Sequence, residues 1–121
     1  MEVIGESYER NRDRDAHVST EVVCELAGIF LGEGGDPRDP LANPLYADLT
    51  GLGPIYIQVG GDEVMLDDAI GWRCTPPRGV EVRLEVFPDM QHTFQMAAGR
   101  APEADEAIRR MAGWVRPKLG L

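Results

Sequence analysis

Two side chains thirty positions apart, Asp62 and His92, could do acid–base chemistry together. A carboxylate that accepts a hydrogen bond from an imidazole Nδ1–H fixes the tautomer of the ring and stabilises the imidazolium formed when the other nitrogen takes a proton. Asp62 follows the run Ile55-Tyr56-Ile57-Gln58-Val59-Gly60-Gly61. The first five of these residues read as a short buried strand and the two glycines as a sharp turn at its carboxyl end. That end is where open α/β sheets keep their chemistry. His92, one of two histidines, sits in Gln91-His92-Thr93-Phe94 after a second strand pattern. A base with a pKa near neutrality could shuttle a proton there. Alone, Asp62 is an ordinary turn aspartate and His92 an ordinary loop histidine. As a pair, in the order acid then histidine, they match the last two members of a Ser, Asp/Glu, His triad.

The first member is not found in these residues. No Gly-x-Ser-x-Gly occurs, and the remaining nucleophile candidates are Ser7, Ser19, the threonines, Cys24 and Cys74. Gly5-Glu6-Ser7-Tyr8-Glu9 resembles a nucleophile elbow superficially. It lacks the second glycine, and only Val3-Ile4 precedes it where a full strand is needed. Ser7 is therefore read as a decoy. Glu63, Asp67 and Asp68 crowd near Asp62, but neither EF-hand spacing nor His-x-x-x-His is present. A solvated helix N-terminus accounts for these charges, and neither metal nor cofactor is expected. The two cysteines lack Cys-x-x-Cys spacing, which favours free thiols in a reducing compartment and leaves a disulfide open.

The elements that must position the pair follow from periodicity. Residues 1–18 are polar, with alternating charges over Arg12-Asp13-Arg14-Asp15, and read as a solvated lead-in without an apolar face. Ser19 is an N-cap, Val22, Val23, Leu26, Ala27 and Phe30 recur at helical spacing, and Gly32 is a stop, so a helix is expected over about 20–31. Residues 33–44 hold three prolines and two glycines and read as a loop, closing a segment that runs to residue 53. Residues 54–121 then carry the acid strand, the histidine loop and a closing helix. Met65 to Ile70 begins a weak helix that Gly71 and Pro76-Pro77 should cut short. Val80, Val82, Leu84 and Val86 alternate with charged residues as a strand with one polar face. Pro102 opens a final helix with Ala104, Ala107, Ile108, Met111, Trp114 and Val115 on one side, ended by Pro117. Strands joined by a helical crossover imply parallel pairing in an α/β fold. Two such strands cannot hide their faces and edges by themselves, so the sheet should continue in other residues or in a partner.

Bulk properties narrow the function. The chain has 121 residues, 43% hydrophobic composition and a net charge of −9. With no basic stripe, nucleic acid and anionic membranes are excluded as expected partners. The apolar runs are far shorter than the ~20 residues of a membrane span. The start carries neither a basic n-region nor an apolar h-region, so a cytoplasmic location is expected.

With Gly-Gly-Asp-Glu-Val-Met-Leu-Asp-Asp and Phe-Pro-Asp-Met-Gln-His-Thr-Phe in view, the chain resembles the C-terminal part of the hormone-sensitive-lipase-like esterases, the α/β-hydrolase fold-3 family. Asn43-Pro44-Leu45-Tyr46-Ala47-Asp48-Leu49 is similar to the stretch before the acid strand, and residues 103–119 are similar to the closing helix. The resemblance implies a truncated α/β-hydrolase fold, with two parallel strands, flanking helices and an incomplete sheet. It also implies Asp62 as triad acid and His92 as triad base, and a small-molecule ester as substrate of the complete enzyme. The family's Gly-Asp-Ser-Ala-Gly elbow and His-Gly-Gly oxyanion motif map to no residue here. A serine carboxylesterase or lipase-type fragment, inactive alone, is therefore expected. The alternative is a non-catalytic module that assembles with an N-terminal fragment or with a second copy. Gly71-Trp-Arg-Cys-Thr-Pro-Pro-Arg-Gly79 departs from the family's regular amphipathic helix and reads as a short frame-shifted stretch.

Overall fold

In the computed structural model, residues 3, 5–74 and 79–121 are described. Strands β1 (Ile55–Gly60) and β2 (Val82–Phe87) pair in parallel, in register from Ile55 opposite Val82 to Gly60 opposite Phe87. Both are rich in β-branched and aromatic residues, which suit a pleated, half-buried surface. Helix α3 (Leu66–Cys74) makes the crossover and lies against both strands. It runs through Gly71 rather than stopping there. A glycine costs about 1 kcal/mol in a helix interior, and packing of this helix on the sheet outweighs that propensity. A Cβ at Gly71 would meet only Leu45 side-chain carbons, at 3.5 Å and beyond. The expected break at Pro76-Pro77 lies outside the described residues, as do Thr75 and Arg78.

Helix α2 (Thr20–Leu31) matches its expected span, with the Ser19 hydroxyl accepting from the Val22 N–H at 3.3 Å and Gly32 ending it at φ 72°. Helix α4 (Pro102–Lys118) passes Pro117 by one residue. It buries Ala104 and Ala107 against the sheet, where Gln58 Nε2 donates to the Ala107 carbonyl at 2.8 Å. Trp114 stacks on Tyr56 with ring centroids 5.1 Å apart. The Tyr56 hydroxyl donates to Glu85 at 2.6 Å. Burial opposes ionisation of Glu85, yet the Tyr56 hydroxyl and the Arg83 guanidinium together hold its pKa below the usual glutamate value.

The first eighteen residues depart from expectation. They contain a short helix α1 (Ser7–Arg10), and Ser7, Tyr8, Asn11 and Asp15 are all buried. Tyr8 packs with Val23 and Val64 in a small core that Val3, Val18 and Met65 flank. The alternating charges concealed this, because Arg12, Asp13 and Arg14 are indeed exposed while their neighbours Asn11 and Asp15 turn inward. The Tyr8 hydroxyl donates to Asp68 Oδ2. Burial, reinforced by that carboxylate, pushes the phenol well above its ordinary pKa. Burial likewise raises the pKa of Asp68.

Candidate active site

The parallel arrangement brings the loops after β1 and β2 to the same end of the sheet. There they are bonded through their backbones: Gly61 N–H donates to the Phe87 carbonyl at 2.7 Å and Asp62 N–H to the Met90 carbonyl at 3.0 Å. Gly60 makes this approach possible. A Cβ at that position would collide with the carbonyl of Met90, whose carbon would lie only 2.6 Å away. In the histidine loop, Asp89 (φ 59°) and Thr93 (φ 57°) both take the left-handed conformation. That conformation is costly for a β-branched residue and marks a loop whose shape its surroundings impose.

The imidazole of His92 meets a carboxylate in this loop pair, and the carboxylate belongs to Glu63. Glu63 Oε2 lies 3.0 Å from His92 Nδ1, while Glu63 Oε1 accepts the Gly60 N–H at 2.7 Å. The glutamate side chain is 8% exposed and that of His92 31%. Asp62 instead turns to Arg14, its Oδ1 lying 3.1 Å from Nη1. The sequence expectation is corrected accordingly: the structure brings His92 together with Glu63 and not with Asp62. The reason is geometric. After two glycines the chain reverses, and the residue that folds back over the strand end is the second carboxylate, whose extra methylene spans to the ring. Sequence reasoning saw Glu63 but assigned it to a solvated helix N-terminus. The clue it passed over was that two adjacent carboxylates on one turn must point in different directions.

Of the other nucleophile candidates, Ser7 lies beside the acid turn and is bonded on both sides. The Ser7 hydroxyl donates to the Val64 carbonyl at 2.7 Å and accepts the Asp67 N–H at 3.0 Å, and the residue is fully buried. It is a buried structural hydroxyl. Cys24 and Cys74 are free and exposed. Among the described residues no group of three or more His, Cys, Asp and Glu side chains is arranged to hold a metal ion.

Beside His92 runs an open apolar groove of about 320 Å³, lined by Val22, Val23, Leu26, Phe30, Met65 and His92 among others. Helix α2 supplies most of this wall, and its outer residues are uncovered, with Leu26 60% and Phe30 74% exposed. Among the described residues no helix is long and apolar enough to cross a membrane.

A family described as alpha/beta hydrolase fold matches residues 2–96. The chain belongs to the alpha/beta hydrolase fold family. Within that family it is similar to an acetyl-hydrolase of Streptomyces hygroscopicus, at 35% identity over 117 residues that make up 96% of this chain and 39% of the relative. The crystal structure of an esterase from the bacterial hormone-sensitive lipase family superposes with a TM-score of 0.87 at 43% identity, covering 97% of this chain and 39% of that one. That of EstE5 superposes with a TM-score of 0.89 at 32% identity, covering 98% and 40%. The resemblance to hormone-sensitive-lipase-like esterases is thus borne out. This alpha/beta hydrolase chain spans about two-fifths of the length of the relatives it matches.

Proposed function

We propose that this chain supplies the acid and the base of a serine carboxylic-ester hydrolase, with Glu63 orienting the ring and His92 acting as general base. The observation that carries the reading is the buried Glu63 carboxylate 3.0 Å from His92 Nδ1. With Nδ1–H held by Glu63, Nε2 is the nitrogen that takes the hydroxyl proton of an attacking serine as its oxygen bonds to the ester carbonyl carbon. The imidazolium then returns that proton to the departing alkoxide. In the second half-reaction Nε2 takes a proton from water, the hydroxide bonds to the acyl carbon and displaces the serine oxygen, and the imidazolium returns the proton to that oxygen. The serine and the oxyanion donors come from residues beyond these 121, which contain no Gly-x-Ser-x-Gly. The apolar groove beside His92 suits the hydrocarbon part of a short or medium ester. The exposed thiols of Cys24 and Cys74 favour a reducing, cytoplasmic setting.

A second reading, that the chain is a module completed by an N-terminal fragment or another copy, is favoured by the uncovered apolar face of α2 and the unpaired outer edges of its two described strands. One experiment addresses both. The chain is mixed with an elbow-bearing fragment of a related esterase, and p-nitrophenyl butyrate hydrolysis and co-elution are followed. Activity that appears on mixing and disappears with His92→Ala supports the assembled esterase. Co-elution without activity supports the module alone. Turnover by the unmixed chain that His92→Ala abolishes would place the nucleophile within these residues and overturn the proposal.

A further inference from the structure

The acid turn is held from outside by the segment Asn11–Asp15, which the reaction does not otherwise use. The Asn11 amide donates both Nδ2 hydrogens into the turn, to the Gly61 carbonyl at 3.0 Å and to the Glu63 carbonyl at 2.7 Å. Asn11 is fully buried, and among the described residues its Oδ1 has no partner. The amide orientation is therefore fixed by its donors alone, since a flipped amide would set oxygen against two carbonyl oxygens. Asp15 completes the grip. Its Oδ2 accepts the Val64 N–H at 3.1 Å, and its Oδ1 accepts the N–H groups of His17 and Val18, each at 3.1 Å, just before the Ser19 cap of α2. From the same segment, Arg14 pairs with Asp62, and its carbonyl accepts from Gln91 Nε2 at 3.0 Å, beside His92.

We infer that Asn11 and Asp15 are positioning residues for the acid: they fix the backbone on both sides of Glu63 so that its carboxylate stands at hydrogen-bond distance from His92. The inference rests on the proposed acid–base pair. Around Glu63, the Gly61 carbonyl, the Glu63 carbonyl and the Val64 N–H are all committed to these two side chains. A buried, two-sided clamp of this kind restricts the turn more than the turn's own Glu63 N–H to Gly60 carbonyl contact, at 3.4 Å, could do. Asp15 in addition ties the turn to the start of α2, so the acid and the groove wall share one anchor.

The test uses the imidazole N–H proton of His92 in the ¹⁵N-labelled chain, since an Nδ1–H held by a carboxylate gives a downfield resonance protected from solvent exchange. A merely structural role would lower the melting temperature but would leave this resonance in the folded molecules. The signal is expected in the unaltered chain and lost with Glu63→Gln. In folded Asn11→Asp and Asp15→Asn it is expected to be lost or broadened by exchange, while Tyr56→Phe, which removes a hydrogen bond elsewhere, preserves it. Asn11→Ala serves where the charged variant does not fold. Slow exchange of the Val64 amide in the unaltered chain is a second requirement that needs no variant. A signal that responds to Glu63→Gln but survives in Asn11 and Asp15 variants overturns the inference and leaves the acid–base pair standing. A rapidly exchanging Val64 amide also overturns it. A signal absent from the unaltered chain, or indifferent to Glu63→Gln, overturns the pair and the inference together.

Discussion

Glu63 and His92 face each other across the ends of two parallel strands, 3.0 Å from oxygen to nitrogen, while the adjacent carboxylate of Asp62 is drawn off by Arg14. In an esterase reconstituted with an elbow-bearing fragment, the two acids should therefore behave differently. Glu63→Gln keeps the shape but favours the wrong tautomer of the ring, and kcat should fall by about 10³–10⁴-fold. Asp62→Asn removes an ion pair whose arginine is half in solvent, a contribution of about 0–1 kcal/mol, so kcat/KM should change by less than about fivefold. Steady-state kinetics on p-nitrophenyl butyrate decide this. The opposite ranking would return the acid role to Asp62.

Ser7 should be inert as a nucleophile and important as a hydrogen-bonding group. Its hydroxyl joins α1 to the acid turn through Val64 and Asp67. Intact-mass analysis after exposure to a fluorophosphonate should show no adduct on this residue. Ser7→Ala leaves two buried partners unpaired and should cost about 1–3 kcal/mol in denaturant unfolding.

Glycine replacements should separate close approach from mere flexibility. Gly60→Ala drives a methyl group into the Met90 carbonyl, against backbone that cannot yield cheaply, and should cost about 1–3 kcal/mol or more. Gly113→Ala, in an exposed stretch of α4 with nothing within 4 Å of the new Cβ, should stabilise by about 0.5–1 kcal/mol through helix propensity. Urea unfolding followed by tryptophan fluorescence measures both.

Alkaline pH should weaken the fold through Tyr8. Its pKa is raised above the ordinary value of 10.0, chiefly by burial and then by Asp68. Above that value the folded chain holds a proton that the unfolded chain releases. The stabilisation is thus fully present below about pH 10 and is lost as pH rises beyond it. Tyr56 is raised in the same direction, again mainly by burial, and adds to the slope. Melting temperatures from pH 9 to 11 should fall more shallowly in Tyr8→Phe than in the unaltered chain.

What could be read in the sequence was whatever local periodicity decides. The span of α2, the two strands, their parallel pairing and the histidine loop follow from residue spacing and turn chemistry, and the structure reproduces them. The family was legible because acid turn and histidine loop agree in order and distance. What escaped was set by contacts between distant segments. Asn11 and Asp15 lie among alternating charges, and nothing local reveals that they turn inward to bonding partners about fifty positions away. The choice between Asp62 and Glu63 was hidden for the same reason. Both sit on one turn, and only the position of Arg14 on one side and His92 on the other separates them. Gly71 stays helical because α3 rests on the sheet, and a residue-by-residue scale does not include that support.

Since β1 and β2 run the same way, β2 begins, at Val82, at the rim opposite the dyad. The spacing between carboxylate and imidazole depends on two short loops at one rim, joined through their backbones. The carboxylate and the imidazole are thus set a full strand's length from the rim at which β2 begins.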